Sequence, residues 1–377
     1  MNPVHLLREL VAVDSTSHRT NAPMIDLLEA KLVGLGLSTA RHGYVDAAGV
    51  AKQNLIARAG GGAGLGEPPV ALALVGHTDC VPFDPAWTAA LTLTARDGKL
   101  YGRGACDTKG FIACALSAVS GVALSKLTRP LALVFTADEE VGCVGAKALA
   151  DAGLLRVQNA IVGEPTKLQP IRANKGYCLG QVVIEGREAH SAYPSEGASA
   201  IRAAGRFLAA LDGLDAELRA LPDPAFEPPF TTTNVGLIEG GKAKNIIAGR
   251  CALTLEWRPL PGQDPARVAE RVREILAQVT AAEPGLSFQF EPGRLDRGFA
   301  TPPESALLRF MARATGRSPG TVAFGTEGPQ LCEMGAEVVV FGPGDITVAH
   351  RTGEFVPEAD LAACTAVLGQ AIAQFCG

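Results

Sequence analysis

No run of lysine or arginine occurs in this 377-residue sequence, and its formal net charge at neutral pH is −5. A nucleic-acid surface needs concentrated positive charge, so the balance argues against that partner and favours a small soluble one. No stretch reads as apolar enough, over enough length, to span a bilayer. The N-terminal MNPVHLLRELVAVDS has apolar residues at helical spacing broken by Arg8 and Glu9, and lacks a signal peptide's apolar block and small-residue cleavage site. A membrane partner is therefore not expected. The nine cysteines form no C-x-x-C pair, and their odd number fits a reduced, cytoplasmic chain whose thiols act as small hydrophobes. Internal repeats and low-complexity tracts are also lacking.

With 47% hydrophobic and 19% charged residues, the chain can bury cores for two domains without a disulfide or metal staple. Up to about Lys175 the pattern is α/β. Apolar strands are expected at Asn54–Ala59, Val70–Gly76, Leu131–Thr136 and Ala160–Gly163, alternating with helices such as Met24–Leu35 and Gly110–Leu124. The segment AGGGAGLGEPP, Ala59–Pro69, lacks the Lys-Ser/Thr ending and following helix of a phosphate cradle and reads as a turn. From Tyr177 the rhythm changes to strand YCLGQVVIEG, helix Ala198–Leu211, strands Thr232–Glu239 and Ile247–Trp257, helix Pro265–Ala281 and strand Leu286–Phe290. That β-α-β-β-α-β order is the split ferredoxin-like unit. The α/β character then returns, with a helix near Glu304–Ala314, a strand at Glu337–Phe341 and a closing helix at Glu358–Cys376. The expected organisation is an α/β domain over 1–176 and 293–377, interrupted by a ferredoxin-like domain over 177–292.

Acidic and imidazole groups recur where these strands stop. VALALVGHTDCVP, Val70–Pro82, reads as a strand buried on both faces that ends in His77 and Asp79, two residues apart and so pointing to one face. Such a pair suits a metal-binding His and a carboxylate that orients it. Asp107 lies in YGRGACDTKG, Glu139 and Glu140 follow LALVFTAD, Glu164 follows AIVG, and His350 lies in GPGDITVAHRTGE. Each has an ordinary reading. A lone His is commonly hydrogen-bonded at the surface, Asp107 could cap the helix near Gly110, Glu139 and Glu140 could form a solvated loop, and Glu164 could be a turn residue before Pro165. Sites of open α/β sheets form at the carboxyl ends of strands, where these groups could converge. Two His, one Asp and two Glu can hold two zinc-like ions if the Asp bridges them.

GHTDCVP, LYGRGACDTKG, TADEEVGCVGA, VGEPT, GREAHSAYPSEGASAI and GPGDITVAHRTGEFV, in this order, resemble the zinc-dependent amidohydrolases that include acetylornithine deacetylases, succinyl-diaminopimelate desuccinylases, carboxypeptidase G and the aminoacylases. The resemblance spans nearly the whole chain. It implies a zinc-exopeptidase-like catalytic domain with an inserted dimerisation or lid domain. It further implies two Zn²⁺ per subunit, with Co²⁺ able to use the same donors. His77 and Glu164 would hold one metal and Glu140 and His350 the other, with Asp107 bridging. The peptide bond after Asp107 is expected to be cis, Asp79 would orient His77, and Glu139 would be the general base.

In the inserted domain, His190 in GREAHSAYP is implied to reach the other subunit of a homodimer and stabilise the oxyanion there, although a structural role fits the residues equally. Asn245 and Arg258 match positions that hold a substrate carboxylate, while Arg258 could instead pair with Glu256 or Asp264. AFGTEGPQL, Ala323–Leu331, resembles the substrate loop of acetylornithine deacetylases, with Gly325 and Thr326 as donors. Glu327 there could face a substrate ammonium, but capping the following helix is its expected task. The implied reaction is hydrolysis of an N-acyl amino acid, foremost N-acetylornithine in arginine synthesis. The alternatives are acetylcitrulline, succinyl-diaminopimelate, or a silent homologue that only binds or dimerises.

Overall fold

The computed structural model of the protein describes residues 1–60 and 69–377, so the Gly-rich turn expected over Ala59–Pro69 falls, from 61 to 68, outside the described residues. The chain forms two compact units: Met1–Arg172 with Thr301–Gly320 and Thr326–Gly377, and Ala173–Ala300 with Thr321–Gly325.

In the first unit, strands Leu131–Thr136, Leu72–His77, Asn159–Val162 and Glu337–Val340 lie side by side and parallel. Strands Ala51–Ala59 and Ser38–Val45 extend the sheet antiparallel beyond Leu131–Thr136. Every residue of Leu72–His77 and Leu131–Thr136 is buried, as unbroken apolar runs require when helices cover both faces. Helix Lys109–Ser120 has eleven of its twelve residues buried, and its small residues let it lie close to the sheet.

The closing helix Glu358–Cys376 is long and apolar enough to cross a membrane by length and composition alone, which the sequence reading had denied of every stretch. Here Leu361, Cys364, Leu368, Ala371, Ile372 and Cys376 join the core of the first unit, so its apolarity serves packing. Strand Ser38–Val45, STARHGYV, had no apolar run to announce it, because it occupies the sheet's edge and is largely solvated.

In the second unit, strands run in the order Thr232–Gly240, Arg250–Arg258, Tyr177–Glu185, Ser287–Asp296, all antiparallel. Helices Ala200–Arg219 and Pro265–Ala281 contribute their apolar stripes to a core around the buried Trp257, whose indole N–H donates to the Pro265 carbonyl at 3.1 Å. Asp264 caps the second helix and Pro265 opens it, which is why its start was readable. The first helix runs eight residues past its expected end at Leu211 because Leu211, Leu214 and Leu218 continue the buried stripe. The last strand runs on to Asp296 through a register shift between Pro292 and Arg294; a bulge accommodates a proline that has no amide to donate.

Gly163 lies between strand Asn159–Val162 and Glu164, and a Cβ there would sit 2.2 Å from ring atoms of the fully buried Phe111. Gly163→Ala is expected to destabilise the metal-free protein by about 1–3 kcal/mol through overpacking, read from urea unfolding. An unchanged midpoint would show that the Phe111 ring can yield.

Candidate metal centre

The parallel strands end at one edge of the sheet, and the acidic and imidazole groups gather there. His77 is the last residue of its strand, and its Nε2 lies 3.0 Å from Asp107 Oδ1. The other Asp107 oxygen, Oδ2, lies 3.2 Å from His350 Nε2. His350 Nε2 is also 3.0 Å from Glu140 Oε2. One carboxylate therefore stands between two imidazoles with an oxygen turned to each.

Ligand atoms of His77, Asp107 and Glu140 lie within 4.8 Å of one another, as do those of His77, Glu139 and Glu164. Nitrogen and carboxylate oxygens at this spacing suit zinc-like ions, and carboxylates crowded away from water call for cations. The donor set thus fits a two-ion centre.

The ordinary readings fail for several of these residues. Helix Lys109–Ser120 has Thr108, not Asp107, at its cap position, and the Asp107–Thr108 peptide is cis. Glu164 is buried, and the Glu140 side chain is only 7% exposed.

Asp79 does more than the spacing suggested. His77 Nδ1 lies 3.0 Å from the Asp79 backbone carbonyl and 3.6 Å from its carboxylate. That carboxylate accepts the backbone amides of Glu139 at 3.1 Å and Glu140 at 3.3 Å, and the Ser17 hydroxyl at 2.9 Å. It ties the strand bearing His77 to the turn bearing both glutamates. The turn begins at Asp138, which has a left-handed φ of 56°. Its carboxylate pairs with the buried Lys52 ammonium at 2.7 Å and accepts the Tyr44 hydroxyl at 2.9 Å. Ser17, Tyr44 and Lys52 lie far from the quoted motifs, and nothing in their spacing announced them.

Burial dominates the electrostatics. It pushes the Glu139 carboxyl up to about 8, with Glu140, Glu327 and Asp107 adding to the shift and His77 opposing it. Burial also raises Glu140 and Glu164. Burial alone would raise Asp107 too, but its bonds to His350 and His77 outweigh it and hold this carboxyl below the usual range. Bonds to Asp107 and Glu140 lift His350 to about 10. His77 is raised despite its burial, by Asp107, Asp79 and Glu139. Without metal, protonated imidazoles thus supply the positive charge that ions would otherwise bring.

Thr326 is buried, and its hydroxyl accepts the Gly328 amide at 3.1 Å, capping helix Gly328–Glu333. The expectation that Glu327 caps this helix is thereby corrected. Glu327 occupies the cap position without a side-chain bond to the helix, and its buried carboxylate faces the Thr136 hydroxyl instead. Burial, reinforced by Asp79, pushes it up to about 7 against the opposing Thr136 hydroxyl and His77.

In the second unit, exposed His190 accepts the Ala192 amide at Nδ1, 3.1 Å away. This leaves Nε2 as the protonated nitrogen of the neutral ring. Asn245 lies beside it, its carbonyl accepting the Ser191 amide at 3.1 Å. Arg258 Nε donates to Glu256 at 2.7 Å, and its guanidinium lies over the Tyr177 ring, 4.5 Å from the centroid. The ordinary pairing with Glu256 is therefore present. Gly325 is partly buried, with open space around its Cα except for Tyr177 Cβ, 3.6 Å from where a Cβ would stand.

The sequence matches peptidase family M20/M25/M40 over residues 73–374. It is 56% identical to an acetylornithine deacetylase of Myxococcus xanthus, covering 98% of this chain and 97% of that one. A tripeptidase of Staphylococcus aureus has the same fold at 24% identity, with a TM-score of 0.78 over 98% of this chain and 96% of its own. A dinuclear metal-binding peptidase of Bacillus subtilis from the M20 family superposes with a TM-score of 0.69 at 15% identity, over 99% of this chain and 98% of its own.

A folded carboxyl raised above its unfolded value binds its proton more tightly in the folded state. Its stability contribution is fully present below about 4.5 and is lost as pH rises to about 7. Glu327→Gln removes this loss, so the variant's stability relative to wild type should improve between pH 5 and pH 8 by on the order of 2–3 kcal/mol. Urea unfolding of both metal-free proteins at the two pH values checks this. A constant difference would mean that Glu327 is not held protonated by burial.

Proposed function

The chain belongs to peptidase family M20/M25/M40, and on that premise we propose that it hydrolyses the amide of N-acetylornithine to ornithine and acetate. The observation that carries the chemistry is Asp107, with one oxygen turned to His77 and the other to His350. In this reading His77 and Glu164 would hold one ion and Glu140 and His350 the other, with Asp107 shared between them. The ions are Zn²⁺, two per subunit, with Co²⁺ able to replace them. When bound, they polarise the acyl oxygen and acidify a water.

Glu139 takes the proton from the attacking water and delivers it to the departing amine. Its neighbour Glu140 is engaged by His350, and in this reading Glu139 stays off the ions to move a proton. Burial raises the Glu139 carboxyl, so it holds an acquired proton more tightly than an exposed one would, and bound cations would favour its ionised form. Asp79 orients His77 through its carbonyl and steadies the glutamate turn through its carboxylate.

The protein acts as a cytoplasmic homodimer, joined through the inserted domain, in arginine synthesis. His190 reaches the other subunit's substrate, where Nε2–H donates to the developing oxyanion. Asn245, Arg258, Gly325 and Thr326 contact the substrate, Arg258 through the part of its fork not given to Glu256. The full-length similarity to acetylornithine deacetylases supports the choice of acyl amino acid.

Acetate release from N-acetylornithine, beside N-acetylcitrulline and succinyl-diaminopimelate, tests this reading with and without added zinc. Fast, zinc-dependent turnover of N-acetylornithine is expected, and preference for either rival would overturn the substrate. Glu139→Ala should keep two ions per chain and lose roughly 10²–10⁴-fold in kcat. Near-normal kcat would remove the base assignment. A mixture of His190→Ala and Glu139→Ala subunits should regain activity in heterodimers, and no regain after proven subunit exchange would count against His190 acting across the dimer.

A further inference from the structure

The buried Glu354 carboxylate gathers four donors. Its Oε2 accepts from Arg103 Nη1 at 2.6 Å and the Gly104 amide at 3.1 Å, while Oε1 accepts the amides of Cys106 at 2.9 Å and Asp107 at 3.1 Å. The Glu354 backbone carbonyl takes the Gly102 amide at 3.1 Å as well. Glu354 therefore satisfies four of the six amides from Gly102 to Asp107, a loop that neither strand nor helix organises.

The loop can wrap one carboxylate because Gly104 has a left-handed φ of 75°, and a Cβ there would press to 3.1 Å against the Lys109 side chain. Glu354 lies four residues beyond His350. One side chain thus fastens the segment carrying His350 to the loop carrying Asp107, across some 250 positions of sequence.

We propose that Glu354 is a positioning residue for Asp107. By collecting the loop amides on both oxygens, it sets the direction in which the Asp107 carboxylate leaves the backbone. That direction presents one oxygen toward His77 and one toward His350. The inference rests on the reading of Asp107 as the bridge of a two-ion centre. With both carboxylate oxygens given to Arg103 and the loop amides, Glu354 acts through Asp107 and is not itself one of the proposed ligands.

Glu354→Gln is nearly isosteric but turns an NH₂ group toward either the Arg103 and Gly104 donors or the Cys106 and Asp107 amides. Co²⁺ is titrated into chelator-treated full-length protein and followed by calorimetry and visible absorption. Wild type is expected to bind two ions per chain. Glu354→Gln should weaken at least one of them roughly 10–100-fold, the range for a residue that orients a ligand, and alter the visible bands of bound cobalt.

Glu354→Asp keeps both acceptors on a stem one methylene shorter and serves if the first variant does not fold; it should also change affinity and bands. Arg103→Lys separates stability from position. It disturbs the charge partner but leaves the three amides on the carboxylate, so a lower unfolding temperature with wild-type cobalt bands is expected. Wild-type affinity and bands in every folded Glu354 variant, with two ions bound by the wild type, would overturn the role of Glu354 alone. Fewer than two ions in the wild type would overturn the two-ion reading, and the Glu354 inference with it.

Discussion

The repulsion among carboxylates crowded at one end of a parallel sheet is the constraint on which the rest of the first unit depends. Asp79, Asp107, Glu164, Glu327 and Glu354 are buried, and Glu139 and Glu140 stand beside them, the Glu140 side chain only 7% exposed. Charges of one sign removed from water cannot coexist without compensation. The protein compensates in three ways. Asp79 and Glu354 each collect backbone amides, Asp107 and Glu140 face imidazoles, and Glu139, Glu164 and Glu327 are pushed toward their neutral forms.

This division separates holding from reacting. A carboxylate wrapped in amides is fixed in direction, and both such groups here are anchored to loops that carry candidate site residues. Asp79 gathers the amides of Glu139 and Glu140, whereas Glu354 gathers those on either side of Ala105 up to Asp107. The amides need partners in any case, since loops at a strand end have no ladder to join. Buried acids thus do in these loops what hydrogen-bonded ladders do in the strands, and the loops gain the rigidity a metal centre needs.

Much of this was legible where one physical cause dominates the pattern. Leu131–Thr136 is unbroken and apolar because helices cover both of its faces, and Pro265–Ala281 is bounded by an Asp cap and a Pro at its start. His77, Asp107, Glu139, Glu140, Glu164 and His350 were visible as polar residues where strands were expected to stop, and the structure gathers them at one end of the sheet. What stayed hidden depends on distance in space. The two-residue step from His77 to Asp79 gives a shared face, but not that the carbonyl is nearer the ring than the carboxylate is. Glu327 stands where helix-capping residues stand, and only the three-dimensional packing reveals that Thr326 does the capping while the Glu327 carboxylate is buried without a bond to the helix. Glu354 was quoted within a motif, yet its four donors come from a loop some 250 residues earlier.

The tandem glutamates show how neighbours of identical chemistry acquire different work. Both backbone amides are held by Asp79, so the turn gives the two side chains different surroundings without freedom to exchange them. Glu140 meets an imidazole at 3.0 Å, which opposes but does not outweigh the burial that raises its carboxyl. Glu139 has the Cys143 thiol donating to it at 3.5 Å, a weak partner, and its proton affinity rises the more for being close to Glu140 and Asp107. A proton carrier must take a proton and return it within one turnover, so it needs an affinity close to that of its surroundings rather than far below it. Burial raises the affinity of Glu139, and divalent charge held beside it would lower it again. The same crowding that makes the centre costly to build therefore raises Glu139 further than burial alone.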